Sequence, residues 1–186
     1  MPIERVGVIG AGTMGSGIAH IFARAGHRVT LCDVEQGFLD RAQETIDKNL
    51  DRERSKGKIT AEDKISTLKR IVPVQDRAEM SNCDFVVEAA TEKFEIKAEI
   101  FLDLDRICRP EVVLASNTSS ISITRLGAIT RRPHQVIGMH FFNPVPVMKL
   151  VEVIRGLVTS QETFALVRDL ALKLGKTPVE VNDAPG

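Results

Sequence analysis

Gly10-Ala11-Gly12-Thr13-Met14-Gly15 follows directly on a short β-branched run at residues 3–9 and opens into Met14, Ile18, Ile21, Phe22 and Ala25 at helical spacing. Apolar residues recurring every three to four positions mark one face of a helix, so the stretch reads as strand, tight turn, helix. In that context the G-x-G-x-x-G spacing has a mechanical meaning. Gly10 permits the tight turn, Gly12 lets backbone approach a pyrophosphate, and Gly15 lets helix pack on strand. Thr13 and Met14 then lie on the first helical turn, whose free N–H groups and positive dipole end favour phosphate. Gly26 falls where this helix should end, and residues 28–32 give a second buried strand closed by Asp33. An acid there accepts hydrogen bonds from both adenosine ribose hydroxyls and repels a 2′-phosphate, which favours NAD over NADP. Val34 and Glu35 bring no cation to reverse that preference. An S-adenosylmethionine-dependent methyltransferase also uses a glycine-rich turn and an acidic strand end; the third glycine weighs against that alternative without removing it.

Working outward, a long polar helix fits residues 35–56, Gly57 breaks it, and Thr60 with Asp63 has the pattern of a helix N-cap. The two helices read as a projecting hairpin. Residues 71–74 form a weak strand containing Pro73, whereas residues 84–89 form a strong one of the continuous, doubly buried type. A helix through Ile96, Ile100, Leu104 and Ile107 is stopped by Pro110. Residues 112–115 make a further strand that runs into Ser116-Asn117-Thr118-Ser119-Ser120. Strands at 135–140 and 150–154 are joined by a connection holding Pro144 and Pro146, too short for a crossover helix, so they should be antiparallel. Ser160 caps a last helix, and residues 177–181 close the pattern. The expected architecture is α/β: a Rossmann-type doubly wound, mostly parallel sheet with a late antiparallel addition and a helical hairpin.

The chain has 186 residues, 43% of them hydrophobic, enough for one well-packed domain. Lys plus Arg equals Asp plus Glu, 25 of each, which gives no global basic excess of the kind nucleic acid requires. Cys32, Cys83 and Cys108 are widely spaced in apolar runs; this argues against a disulfide framework or a metal site and for a reducing compartment. No run approaches the roughly 18 apolar residues of a membrane span, and the N-terminus enters strand-like sequence at once. A cytoplasmic protein without membrane partners is the expectation.

His140 ends one strand and Glu152 lies in the next, so antiparallel pairing should bring imidazole and carboxylate side by side. Oxidising a secondary alcohol with NAD needs a base for the hydroxyl proton, and a neighbouring carboxylate fixes the tautomer of that base. Asn117 and Ser119 lie just past the C-terminal end of a parallel strand, where open α/β sheets bind ligands. Read alone, Ser116–Ser120 is a polar turn, and a lone strand histidine is a structural residue.

Four stretches together resemble the 3-hydroxyacyl-CoA dehydrogenase family, particularly its short-chain 3-hydroxybutyryl-CoA members. They are residues 7–15, Glu88-Ala89-Ala90-Thr91-Glu92, residues 116–120, and Gly138-Met139-His140-Phe141-Phe142-Asn143-Pro144-Val145-Pro146 followed by Leu150-Val151-Glu152. The resemblance implies NAD as cofactor and acyl-CoA as substrate. It implies His140 as catalytic base, Glu152 as its partner, Ser119 as a substrate hydrogen-bonder and Asn143 as a supporting site residue. It also implies cofactor contacts from Asp33, Ala89, Glu92, Lys97 and Asn117. Spacing alone selects neither Glu92, an acid at a helix start, nor Lys97, a solvated surface lysine. Lys56 is the nearest candidate for a CoA phosphate, with solvated lysine as the plainer reading. Residues 1–182 are then the NAD-binding domain and 183–186 the start of a junction to a helical substrate and dimerisation domain that this sequence lacks; a homodimer is implied for the longer form. Two further readings stand beside this one: a related hydroxy-acid dehydrogenase without CoA, and an NAD-binding module without turnover of its own.

Overall fold

The computed structural model describes residues 3–183. Eight strands form one sheet: β1 (Arg5–Ile9), β2 (Arg28–Cys32), β3 (Ile71–Val74), β4 (Phe85–Glu88), β5 (Val113–Ser116), β6 (Val136–Phe141), β7 (Leu150–Arg155) and β8 (Thr177–Asn182), in the order β3-β2-β1-β4-β5-β6-β7-β8. Pairing is parallel from β3 to β6 and antiparallel between β6 and β7, and β8 lies parallel to β7. Strand order reverses between β1 and β4, which places a crevice at their C-terminal ends, the position where open α/β sheets take ligands.

Helices cover both faces. On one side lie α1 (Thr13–Arg24), α2 (Gln36–Ser55), α3 (Ala61–Lys69) and α6 (Gln161–Lys173); on the other lie α4 (Phe94–Ile107) and the short α5 (Ile123–Ala128). Strand β4 shows why its sequence is apolar without alternation: Phe85 and Val87 enter the core shared with α1, while Val86 enters the one shared with α4. Thr60 and Asp63 form a reciprocal capping box at the start of α3. Ser160 caps α6 by accepting from the Thr163 amide.

Two expectations change. The helical hairpin does not project freely, because Leu39, Ala42, Ile46 and Leu50 of α2 are buried in the same core as α1. Helix α5 is an element that sequence periodicity did not reveal; at six residues it is under two turns long and shows no repeat to read. Its first turn is held from outside, since the Asp183 carboxylate accepts from Ser122 Oγ and the Ile123 and Thr124 amides at 2.8–3.1 Å. Of the expected junction at 183–186, only Asp183 lies within the described residues. Among those residues no helix is long and apolar enough to cross a membrane.

Helix α4 ends before Pro110, and its last carbonyls are collected by the buried Arg132 guanidinium. This donates to the backbone oxygens of Asp105, Cys108 and Arg109 and to the Asp105 carboxylate. Removing the guanidinium strands several buried acceptors and leaves the buried Asp105 carboxylate to Arg131 alone. We expect Arg132→Met to lower the free energy of urea unfolding by about 3 kcal/mol, with the slope against urea unchanged.

Candidate active site

The turn after β1 lies directly over the β1/β4 crevice. Gly10 has φ +95°, and a Cβ on it would sit 2.6 Å from the Ala89 carbonyl oxygen; a Cβ on Gly15 would sit 1.7 Å from the Gly10 carbonyl oxygen. Only glycine permits backbone to pass this close. At Gly12, by contrast, a Cβ would meet nothing within 4 Å, so open space lies in front of the turn. Helix α1 begins there with no side-chain cap and no acid in its first turn, leaving the amides of Thr13, Met14 and Gly15 to an anion. Asp33 braces the turn by accepting from the Ala11 amide at 2.8 Å, and its other oxygen accepts from Glu35 at 3.1 Å. Each carboxylate oxygen keeps a further lone pair for a ribose hydroxyl. Open space, free amides and an acid at the strand end therefore fit a dinucleotide.

At the far side of the crevice His140 faces Glu152 in the antiparallel register, with Nδ1 2.8 Å from Oε2. Among the described residues Nε2 of His140 makes no hydrogen bond, and the side chain is 17% exposed. The Phe142 ring packs on the imidazole, centroids 4.7 Å apart. Asn117 accepts the Phe141 amide on Oδ1 at 2.8 Å and so ties the end of β5 to the strand that carries His140.

The serine turn is built on Glu92. Its Oε1 accepts from the Thr118 hydroxyl, from the Ser119 amide at 2.9 Å and from the Ser120 amide at 3.2 Å. Burial alone would raise the Glu92 carboxyl, but the Thr118 hydroxyl, the Lys97 charge and the Ser119 amide outweigh it and hold the group below the usual carboxylate range. Ser119 is exposed, and its hydroxyl is 3.4 Å from Glu92. Lys97 is not a solvated lysine: it is 1% exposed, with Nζ 2.7 Å from Glu88 Oε1. Glu88, the residue that spacing overlooked, is fully buried at the end of β4; the one signal for it was an acid closing an apolar run. Asn143 is exposed and lines, with Gly12, Thr13 and Phe38, a cavity of ≈ 400 Å³.

The larger cleft, ≈ 840 Å³, lies away from His140 between α2 and the end of α6. Lys56 lines it together with Arg52, Lys58, Lys149, Lys173 and Lys176, against the single carboxylate of Glu53. His20, also in its wall, adds no charge near neutral pH, because burial, Arg24 and Lys176 push its imidazole down to about 4. The cleft is thus a concentrated positive surface on a chain of zero formal charge.

A doubly wound sheet with a glycine-rich turn over its switch point and an acid at the second strand end defines a dinucleotide-binding domain of the dehydrogenase class. The sequence profile of the family described as "3-hydroxyacyl-CoA dehydrogenase, NAD binding domain" matches residues 5–184, and the chain belongs to that family. It is 52% identical over 186 residues to the probable 3-hydroxybutyryl-CoA dehydrogenase of Bacillus subtilis, covering 100% of this chain and 65% of that protein. It is 46% identical to the 3-hydroxyadipyl-CoA dehydrogenase of Escherichia coli, covering 99% of this chain and 39% of that one. Among solved structures, (S)-3-hydroxybutyryl-CoA dehydrogenase PaaH1 from Ralstonia eutropha superposes with a TM-score of 0.97 at 47% identity, covering 100% of this chain and 65% of that one. NAD is accordingly the cofactor of this domain.

Because its folded carboxyl titrates below its unfolded value, Glu92 contributes stability that is fully present above about pH 4.3 and is lost as pH falls through the folded value. Glu92→Gln should therefore melt below the parent at pH 7, with the gap closing as acid is added toward pH 3. Thermal melts across that range check this, and a gap that widens on acidification would contradict it.

Proposed function

We propose that the chain is the cofactor-binding part of an NAD-dependent enzyme that interconverts 3-hydroxyacyl-CoA and 3-oxoacyl-CoA, with His140 as general base and acid and Glu152 as its partner. The observation that carries this is the 2.8 Å contact between His140 Nδ1 and Glu152 at the ligand end of the sheet. With Nδ1–H donated to Glu152, the lone pair of the imidazole resides on Nε2, the nitrogen free of protein partners among the described residues. Nε2 takes the proton of a substrate hydroxyl, and Glu152 offsets the positive charge that the ring then carries. In the reductive direction the same nitrogen returns the proton to the carbonyl oxygen. The glycine-rich turn would hold the dinucleotide, whose chemistry when bound would be to take the carbinol hydrogen as hydride, or to return it in the reverse direction. Asp33, Gly12 and the amides at the start of α1 would hold it, with Ala89, Glu92, Lys97 and Asn117 along the crevice. Ser119 and Asn143 border the space where a substrate oxygen would sit.

The cationic cleft supports a CoA ester over a simple hydroxy acid, since Arg52, Lys56 and Lys58 offer charge that phosphates need and a small carboxylate does not. The relatives named for 3-hydroxybutyryl-CoA support a short acyl chain, the relative named as a fatty acid oxidation complex subunit supports a place in fatty-acid breakdown, and butanoate metabolism is part of the same proposal. Three buried free cysteines fit a reducing compartment such as the cytoplasm. We take residues 1–182 as the NAD-binding unit and Asp183 as the start of the link to a helical partner domain.

The chain spans 65% of the length of the Bacillus relative, and a second reading is a cofactor module that turns over substrate only together with the remaining part of such a protein. Orientation of the acyl-CoA and exclusion of water would then depend on the remainder. Two assays separate the readings. With acetoacetyl-CoA and NADH, His140→Ala should cut turnover by about 100- to 10,000-fold while NADH affinity stays at the parental value. Lys56→Glu should raise KM for acetoacetyl-CoA several-fold and leave NADH binding unchanged. NADH binding without any parental turnover supports the module, and retained activity in His140→Ala would remove His140 from the chemistry.

A further inference from the structure

Beneath the serine turn lies a buried ion pair that transfers no proton in the scheme above. Glu88 is 0% and Lys97 1% exposed. Glu88 joins three elements: Oε1 accepts from Lys97 Nζ and from the Ala90 amide, each at 2.7 Å, and Oε2 accepts from Ser116 Oγ at 2.6 Å. The Lys97 ammonium also faces the Ala90 carbonyl at 3.2 Å and Glu92 Oε2 at 3.4 Å. An ammonium has three donors, and each faces a protein acceptor, so Lys97 holds Glu88, Ala90 and Glu92 together whether or not a cofactor also touches it.

Two routes lead from this pair to the reacting end of the sheet. Lys97 faces Glu92, and Glu92 holds the Thr118 hydroxyl and the Ser119 and Ser120 amides. The Glu88 carbonyl accepts the Asn117 amide at 2.7 Å, and Asn117 in turn accepts from Phe141, next to His140. A buried ion pair is weak support for net stability, because neutral side chains of similar volume commonly replace one without loss. What neutral side chains cannot replace is a fixed cation beneath the Glu92 carboxylate.

We propose that Glu88 and Lys97 are positioning residues that set the Glu92-anchored turn, with Asn117 and Ser119, in register with His140. The functional meaning rests on reading that turn and His140 as the reacting site, whereas the positioning itself is measurable without cofactor.

The test compares the full chain with Glu88→Gln/Lys97→Met, which removes both charges at similar volume, and with Glu92→Gln, which cuts the route while leaving the pair intact. Amide exchange at Ser119 and Ser120, thermal melting and NADH affinity are recorded for each. The double variant should melt within a few degrees of the parent, yet exchange at these two amides should rise about tenfold or more, and NADH should bind several-fold more weakly. Glu92→Gln should reproduce the exchange pattern. Where the double variant does not fold, Glu88→Gln alone, which can keep its bonds to Ala90 and Ser116, gives the same readout. Parental protection at Ser119 and Ser120 in these variants overturns the proposal. If the parent itself binds no NADH, the cofactor reading falls alone, because the exchange rates still decide the positioning claim.

Discussion

The close passage of backbone over backbone at the start of α1 is the constraint on which the rest depends. With the Gly10 carbonyl oxygen 1.7 Å from where a Gly15 Cβ would lie, and the Ala89 carbonyl oxygen 2.6 Å from where a Gly10 Cβ would lie, the turn after β1 is pressed against both its own helix and the end of β4. That contact brings the first amides of α1 to the crevice, and it leaves open space above Gly12 in place of packed side chains. Bulk hydrophobicity could bury the same strands without the contact. It could not put unpaired amides, an acid at the second strand end and an opening at one point.

Polar groups then divide the site between two kinds of scaffold. His140 and Glu152 are fixed by an antiparallel register, where a slip of β7 by one residue would send Glu152 to the face of the sheet opposite His140. The serine turn has no ladder to hold it and is fixed by charge instead, with Glu92 gathering hydroxyl and amide donors over a buried Lys97–Glu88 pair. Loops that carry chemistry on a rigid sheet need such an anchor, since their own backbone hydrogen bonds are few. Asn117 joins the two scaffolds through the Phe141 amide.

Most of the strand order was legible because each signal was local: a glycine-rich turn between strand and helix, a short Pro-containing connection that forces antiparallel pairing, serine and threonine caps where α6 and α3 begin. The pairing of His140 with Glu152 followed from the same local logic. What escaped depended on distance. Helix α5 is too short to show a period, and beside its own Ser122 cap its first amides are held by Asp183, 60 residues further on. Lys97 has the composition of a surface lysine, and only the packing of α4 against β4 turns it inward to Glu88. The cationic cleft draws on α2, the segment before β7 and the end of α6, which no window of sequence brings together. Glu88 closes an apolar strand, and its carboxylate acquires meaning only when Ser116 and Lys97 arrive from other elements.

The central claim is that this turn and Asp33 make a site for an unphosphorylated adenosine ribose. Titrating the purified chain with NADH and with NADPH, and comparing the two dissociation constants by cofactor fluorescence, tests it most directly. Asp33 beside a 2′-phosphate is an unfavourable like-charge contact, so NADH should bind at least about tenfold more tightly. Equal affinities, a preference for NADPH, or no binding of either would contradict the account.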